Sequence, residues 1–367
     1  MKRIFLTSET RLLSQKGLSI VELLISMVIG LAVIAGSVQV VMNSKREFID
    51  QNEIQFIQTN ARYAIEVMKK DLLMAGYLGC AVGDEIDVAN TLNNDAGGFA
   101  SLSGLVGYEG DGANALDVYP DAYKDEAIAE TDTVLIRYAN PNEKMEVQSH
   151  NPYIAQLTMW DTPTYGSGST MVIAESNCRA VGIFQVSAVS GSTISHGMGS
   201  SGGTYNCTNV LRGDINCSMS SCGENSCGGY TNISRGYTAG SQIMPFVSHA
   251  YYVGPSSVVP GMNALKREVF NSSGIPATAP EEIALGVDDF EIVYGVDSNE
   301  NGNIDSYVSA NSVSDWNRVV NVKLTLVLRS RSPVHLEDHS NTLSGVTYTD
   351  RFLRSMVNST IKIRNRG

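Results

Sequence analysis

Gly17-Leu18-Ser19-Ile20-Val21-Glu22-Leu23-Leu24-Ile25 is where a basic leader gives way to an apolar run, and one acid inside that run decides how the chain is read. Residues 1–17 are polar and basic and end in Gln15-Lys16-Gly17, and the apolar run continues to Met42. From Leu23 to Ser44 there are 22 residues without a charge. As a helix they rise about 33 Å, enough for a hydrocarbon core of ~30 Å. The basic leader predicts a cytoplasmic N-terminus and an exported remainder. A cleaved secretory signal fits poorly, because the run is too long for an h-region and no small-x-small site follows it. A plain single-pass anchor fits the hydropathy but leaves Glu22 unexplained, since an acid near the start of a membrane helix costs a few kcal/mol unless it is paired. Cleavage after Gly17 would supply a partner. Leu18 would then carry a free amine four residues before Glu22, and one subunit's ammonium would neutralise its neighbour's carboxylate during assembly.

The helical pattern continues beyond the membrane length. Ile54, Ile57, Ala61, Ala64, Ile65, Met68, Leu72 and Ala75 recur at three and four residues, the spacing of one helical face. No Pro interrupts residues 18–75, and Gly76 is a natural stop. One helix over that span would be about 87 Å long. Its outer half has an apolar stripe that needs a sheet to cover. A strict heptad is not sustained, which disfavours a coiled coil.

The segment Gly17 to Ile25 resembles the type III signal of type IV pilins and pseudopilins. The resemblance implies that a prepilin peptidase cuts after Gly17 and methylates Leu18, and that Glu22 guides assembly. The usual first mature residue of that family is Phe; Leu18 in its place points to a minor subunit.

The 367 residues are 43% hydrophobic and 17% charged, with a formal net charge of −12. Without residues 1–17 the balance is 22 basic against 37 acidic residues, or −15. Such a surface repels phosphate backbones and has no basic stripe interleaved with aromatics, so direct nucleic-acid binding is not expected. The 34 glycines cluster with Ser, Asn and Thr, as in strands joined by polar loops. Strand-like runs are Thr133–Ala139, Thr170–Ala174, Val181–Val189, Val247–Val253, Phe290–Val296 and Val319–Arg329. In the last, Val320, Val322, Leu324, Leu326 and Leu328 alternate against Asn321, Lys323, Thr325 and Val327, predicting a half-buried antiparallel strand able to pack on the helix. Helix first, then strands, predicts an α+β protein: a long N-terminal helix on an antiparallel sheet head with long disulfide-containing loops. The expected organisation is a leader over 1–17, a helix over 18–77 with its membrane part over 18–42, and a head over 78–367.

Cys80, Cys178, Cys207, Cys217, Cys222 and Cys227 include no Cys-x-x-Cys pair and no His at ligand spacing, so zinc is disfavoured. In an exported chain they are disulfide candidates, with 15 possible pairings. Cys80 and Cys178 lie outside a Gly/Ser/Asn-rich insertion at about 190–242, and a bridge between them would tie the helix end to the sheet. The insertion is too polar to supply a core and is expected to be a surface loop restrained by disulfides.

Asp297, Asn299, Asn301, Asn303 and Asp305 place oxygen side chains at alternate positions around Gly302, as in the first part of a calcium loop. The twelfth position is Val308, so the bidentate Glu of a full EF-hand is missing, and an Asn/Gly-rich hairpin turn explains the same residues. Possible Ca2+ at this loop is the one cofactor expectation. Gly199-Ser200-Ser201-Gly202-Gly203 satisfies G-x-S-x-G without the strand and helix that a nucleophile elbow needs. His335 and His339 are spaced i, i+4 but lack the H-E-x-x-H pattern and read as a surface pair. Trp160, Trp316 and the tyrosines fit either adhesive patches or ordinary packing. No catalytic constellation emerges, and the chain is read as a non-enzyme.

Further segments resemble one branch of the pilin family, the minor pilins of the PilW kind: Asn60-Ala61-Arg62-Tyr63-Ala64, Asp71-Leu72-Leu73-Met74-Ala75-Gly76-Tyr77-Leu78-Gly79-Cys80, Tyr294-Gly295-Val296-Asp297, Phe352-Leu353-Arg354 and Arg364-Asn365-Arg366. This resemblance implies an inner-membrane single-pass precursor whose head is periplasmic. It then enters the cell-surface fibre near the tip, supporting pilus biogenesis, adhesion, twitching or DNA uptake. The implied partners are other minor and major pilins, a tip adhesin, the prepilin peptidase and the inner-membrane assembly platform. A minor pseudopilin of a type II secretion system shares the same N-terminus, and a membrane-tethered periplasmic enzyme or sensor is the reading from another class.

Overall fold

The computed structural model describes residues 17, 19–80, 86–92, 103–110, 125–201, 204–213, 215–217, 235–270 and 279–365. Helix α1 runs Ile20–Met74, and the chain divides into two units, Met1–Asn52 and Glu53–Gly367. In the first unit none of the residues from Ile20 to Asn52 is buried. Ser19 starts the helix by accepting the Val21 amide at 3.3 Å on its side chain, which satisfies one of the orphan donors of a helix N-terminus.

The second unit opens with the outer turns of α1. Its buried positions there are Glu53, Ile57, Ala61, Ala64, Met68, Asp71 and Leu72, three or four residues apart. The apolar members match the sequence pattern, except that Ile54 is exposed. Two acids, Glu53 and Asp71, sit in the stripe instead. The helix stops at Gly76, whose φ of 73° is open to glycine at no steric cost. A Cβ at Gly104 would come within 2.1 Å of the Gly76 amide nitrogen, so the chain passes at backbone distance there. The last helical carbonyls are capped from the far end of the chain: Asn365 Nδ2 donates to the carbonyls of Met74 and Ala75, each at 3.3 Å.

The strands in chain order begin with β1 (Asp87–Asn90), β2 (Leu105–Tyr108), β3 (Thr133–Ala139), β4 (Met145–Asn151) and β5 (Gln156–Met159). Next come β6 (Thr170–Ala174), β7 (Ala180–Gln185), β8 (Ala188–Ser190) and β9 (Thr193–Ser195). Then follow β10 (Gly199–Ser201), β11 (Thr204–Asn206), β12 (Ile215–Asn216), β13 (Gln242–Pro255), β14 (Asn263–Phe270) and β15 (Glu281–Leu285). The chain ends with β16 (Val287–Val296), β17 (Ser306–Val308), β18 (Val319–Arg329), β19 (His339–Leu343), β20 (Val346–Asp350) and β21 (Arg354–Lys362).

Strand β13 is the hub of the large sheet. Its first residues pair with β4 and β6, and its later residues with β3 and β14, all antiparallel. A second sheet has the order β17-β16-β18-β21. The two antiparallel hairpins β10-β11 and β19-β20 stand apart. The sheets are antiparallel except at β1, which runs parallel to β7 and β12. Parallel pairing needs long connections, and the many residues between 90 and 180 provide one.

One core joins the helix stripe to both sheets: Ile57, Ala64, Met68 and Leu72 cluster with Tyr251, Phe290, Leu324 and Leu326. Burying a Leu, Met or Phe side chain contributes roughly 1.5–3 kcal/mol, so this contact area supplies much of the head's stability. The expected alternation in β18 is present, with Val322, Leu324, Leu326 and Leu328 fully buried and Lys323 exposed. Val327, on the other face, is buried as well.

The described residues of the segment at about 190–242 differ from the coreless surface loop that its composition predicts. Cys207, Val210, Ile215 and Cys217 form a small buried cluster with Ala89 of β1, and Leu211 packs in a separate cluster with Phe184 and Tyr237. Asn206 is the polar staple: its Oδ1 accepts the Gln185 amide at 2.7 Å and its Nδ2 donates to the Gln185 carbonyl at 2.6 Å. The short polar strand β11 thus docks on β7 through side-chain amide bonds that hydropathy does not register.

Candidate functional site

Glu22 lies in the first turn of α1 and is exposed, amid a run of exposed apolar residues that includes Leu23, Leu24, Ile25 and Val28. The helix is long and apolar enough to cross a membrane. Negative charge in a first helical turn is favoured by the helix dipole. Ser26 donates its hydroxyl to the Glu22 carbonyl at 2.6 Å and leaves the carboxylate alone. Gly17 is exposed. Leu18, the expected new N-terminus, lies outside the described residues.

At the other end of the helix, Asp71 is the centre of a buried polar lock. It is 3% exposed and gathers side chains from three strands. Tyr138 of β3 donates to Oδ1 at 3.0 Å. His249 Nδ1 and the Tyr251 hydroxyl, both of β13, donate to Oδ2 at 2.7 and 2.6 Å. Arg267 of β14 stands 3.6 Å from the same oxygen and also binds Glu281. Burial alone would raise the Asp71 carboxyl, but the bond and charge of His249, then Tyr251 and Arg267, outweigh it and hold the group below its ordinary range. An ionised carboxylate is an acceptor only, so His249 carries its proton on Nδ1. The Asp–His pair has the look of a catalytic dyad, yet the groups it meets are two tyrosines and a guanidinium facing a helix. It orders the helix against the sheet. The sequence signal that could have found it is an acid inside an apolar stripe.

Two further side chains make the same junction. Glu53 accepts the Arg331 amide at 2.7 Å, while the Arg331 guanidinium stacks over the Phe56 ring at 4.7 Å. Asn60 donates to the Phe56 carbonyl and accepts the Leu285 amide at 2.9 Å. Many of the residues that carried the family resemblance (Asn60, Asp71, Gly76 and Asn365) therefore meet where the helix joins the sheets.

Cys80 and Cys178 are bonded, closing a separation of 98 residues between the end of the helix region and the turn before β7. Cys207 and Cys217 are also in disulfides. Cys222 and Cys227 lie outside the described residues.

The loop after β16 is closed by its own hydrogen bonds. Asp297 accepts the amides of Asn301 and Gly302, Asn299 that of Asn301, and Asn301 that of Asn303 at 2.8 Å. Asp305 accepts from Ser298 and Asn299, and Glu300 pairs with Arg318. Such a run of Asx turns holds its shape without an ion. Ser200 and Ser201 belong to the β10-β11 hairpin rather than to a strand–turn–helix elbow. His335 and His339 lie with ring centroids 5.2 Å apart. A different pair lies further in, with His196 buried and His150 half-buried: His150 Nε2 and His196 Nε2 are 3.0 Å apart, and Tyr237 donates its amide to His150 Nδ1. Burial pushes His150 down to about 4, and burial with the charge of His150 pushes His196 down to about 3, so both are neutral in the fold near pH 7. Trp160 is exposed, whereas Trp316 packs edge-on against the buried Tyr294 at 4.9 Å.

One long apolar helix, antiparallel-rich sheets and the Cys80–Cys178 disulfide define the chain as an α+β protein. Residues 250–365 match the family model of PilW, the type IV pilus-assembly protein W. The match runs from β13 to the Asn365 cap, and the resemblance to type IV pilins of the PilW kind is shown over that stretch. Among solved structures, a type IV-like pilin from Thermus thermophilus is similar at 14% identity, covering 55% of this chain and 90% of that one with a TM-score of 0.21. No curated protein matches the chain.

Proposed function

We propose that this chain is a minor pilin of the PilW kind, which helps to prime assembly of a type IV pilus and enters the fibre near its tip. The observation that carries the reading is the match of the head to a pilus-assembly family on a chain that opens with Gly17, Glu22 and an exposed apolar helix. In this reading a prepilin peptidase removes residues 1–17 and methylates Leu18. Residues 18–42 then hold the subunit in the inner membrane with its head in the periplasm until the assembly platform draws it into the fibre. The Glu22 carboxylate pairs with the N-terminal ammonium of a neighbouring pilin, which offsets the cost of an acid in apolar surroundings. Other minor and major pilins are the lateral partners, and a larger adhesin is the partner above. Attachment, twitching and DNA uptake are the activities such a fibre supports.

The match to a pilus-assembly family favours the pilus over a type II secretion pseudopilus. Deleting the gene and imaging surface fibres tests the reading. Loss of most fibres, restored by the parent gene, is the expected result. Normal fibres together with a defect in protein secretion would assign the chain to the pseudopilus instead.

A further inference from the structure

Three carboxylates meet beside β16 where the two sheets abut, and a fourth acid, Asp289, lies next to them. Glu109 follows β2 and Asp132 precedes β3, both in the large sheet, while Asp289 and Glu291 stand on β16 of the other. Glu109, Asp132 and Glu291 each bring one oxygen to within 4.8 Å of the others. The backbone builds the arrangement. The Asp132 amide donates to the Phe290 carbonyl at 2.8 Å, and Asp132 Oδ2 accepts the Ile292 amide at 2.7 Å. Asp132 Oδ1 accepts the Gly110 amide at 2.9 Å, and Glu109 Oε2 accepts the Ala310 amide at 2.9 Å. A carboxylate oxygen with one such bond still has a lone pair to give.

Asp289 is the second, separate observation. It is 4% exposed; Ser344 and the Phe290 amide hydrogen-bond to its carboxylate, while its Oδ2 is buried with no hydrogen-bond partner. Its side chain lies against Glu291, and its charge acts on both Glu291 and Asp132. Among the described residues none of the four acids takes part in an ion pair. Buried charges of one sign need a counter-ion or a proton.

We propose that Glu109, Asp132, Asp289 and Glu291 form a site for one divalent cation of the calcium class, which clips the two sheets together. Donors that are all oxygen select hard cations over zinc or copper. The oxygens of Glu109, Asp132 and Glu291 fit within the ~4.8 Å that spans a calcium coordination sphere. The mixture of buried and half-buried acids suits the flexible coordination of calcium better than the strict octahedron of magnesium. The site is distinct from the 297–305 loop, whose acids are bonded within that loop. It does not depend on the pilus reading, since it concerns only how the head is held together.

The test uses the full chain in detergent, stripped with a chelator and titrated with calcium chloride in a calorimeter. One ion per chain and a rise of several degrees in the unfolding midpoint are expected, with a much smaller response to magnesium. Glu291→Gln and Glu109→Gln should each weaken binding at least tenfold, and Asp297→Ala should leave it unchanged. Without calcium, Glu291→Gln should melt above the parent, because one of the repelling charges is gone; this also shows that the variant folds. The half-buried Glu109 provides the second variant. No heat and no midpoint shift at millimolar calcium would overturn the proposal. So would an equal response to magnesium, or binding lost in Asp297→Ala and kept in the Glu109→Gln, Glu291→Gln double variant. Stabilisation of the parent by acid with none by calcium would show a shared proton in place of the ion.

Discussion

Asp71 shows how one side chain can decide the position of a helix. Removing it leaves two tyrosine hydroxyls, His249 and Arg267 aimed at an empty buried space, and breaking a buried charged network typically costs about 3–5 kcal/mol. Asp71→Ala should therefore lower the unfolding free energy obtained from urea titration by an amount in that range, and Asp71→Asn, which keeps the shape and some of the bonds, by less. An alanine variant with an unchanged midpoint would mean that water replaces the carboxylate. The His150–His196 pair acts through pH. The unfolded chain binds protons at both histidines near the ordinary value of about 6.5, whereas the fold resists them down to about 4 and about 3. The unfolded state therefore holds more protons within that window, and stability is lost as pH falls from about 6.5 towards 4. Asp132 and Glu291 work in the opposite direction. Their folded values are raised, so the stability they contribute is present at low pH and lost as pH rises through about 7 and about 8. Thermal midpoints of the parent and of His196→Asn at pH 7, 6 and 5 isolate the first effect, and the variant should lose less between pH 7 and pH 5.

At the scale of elements, what could be read from sequence depended on whether polar side chains were paired inside. The stripe of α1 and the alternation of β18 were legible because their inward residues are apolar at periods of 3.6 and 2. Strand β14 was not, although it lies between β13 and β15. Lys266 and Glu268 are buried within it, and Lys266 is neutralised by Glu126 at 2.9 Å, a partner 140 residues away. β21 was missed because its pattern is mostly exposed, as befits a strand at the edge of the order β17-β16-β18-β21. The same logic explains the site by β16: single acids scattered over nearly 200 positions carry no motif until two sheets bring them together. Cys80 and Cys178, by contrast, were legible as a bridge from their place outside the insertion. Closing a loop of that length restricts the unfolded chain by about 4.7 kcal/mol. Replacing both cysteines by serine should lower the denaturant midpoint accordingly, and reductant should then have a smaller further effect than it has on the parent.

At the scale of the whole molecule, the two units make opposite demands. The unit from Glu53 onward buries its own stripe and needs nothing further to complete a core. The unit before it buries none of its residues from Ile20 to Asn52, although most of those up to Met42 are apolar. Lipid can cover that surface before assembly, and neighbouring helices afterwards, but neither compensates an isolated carboxylate. If Glu22 is the assembly residue, replacing it should separate the two units' behaviour. Glu22→Ala should leave the head's unfolding midpoint and the membrane fraction of the protein unchanged, because the acid belongs to the unit that ends at Asn52 and its loss favours insertion. Surface fibres should nevertheless fall several-fold, because the ammonium of a neighbouring pilin loses its partner. Intact mass of the membrane-extracted chain supplies the control: parent and variant should both begin at Leu18. Normal fibres from the variant would overturn the pairing role of Glu22, whereas a parent that still begins at Met1 would overturn cleavage after Gly17 and, with it, the pilin reading.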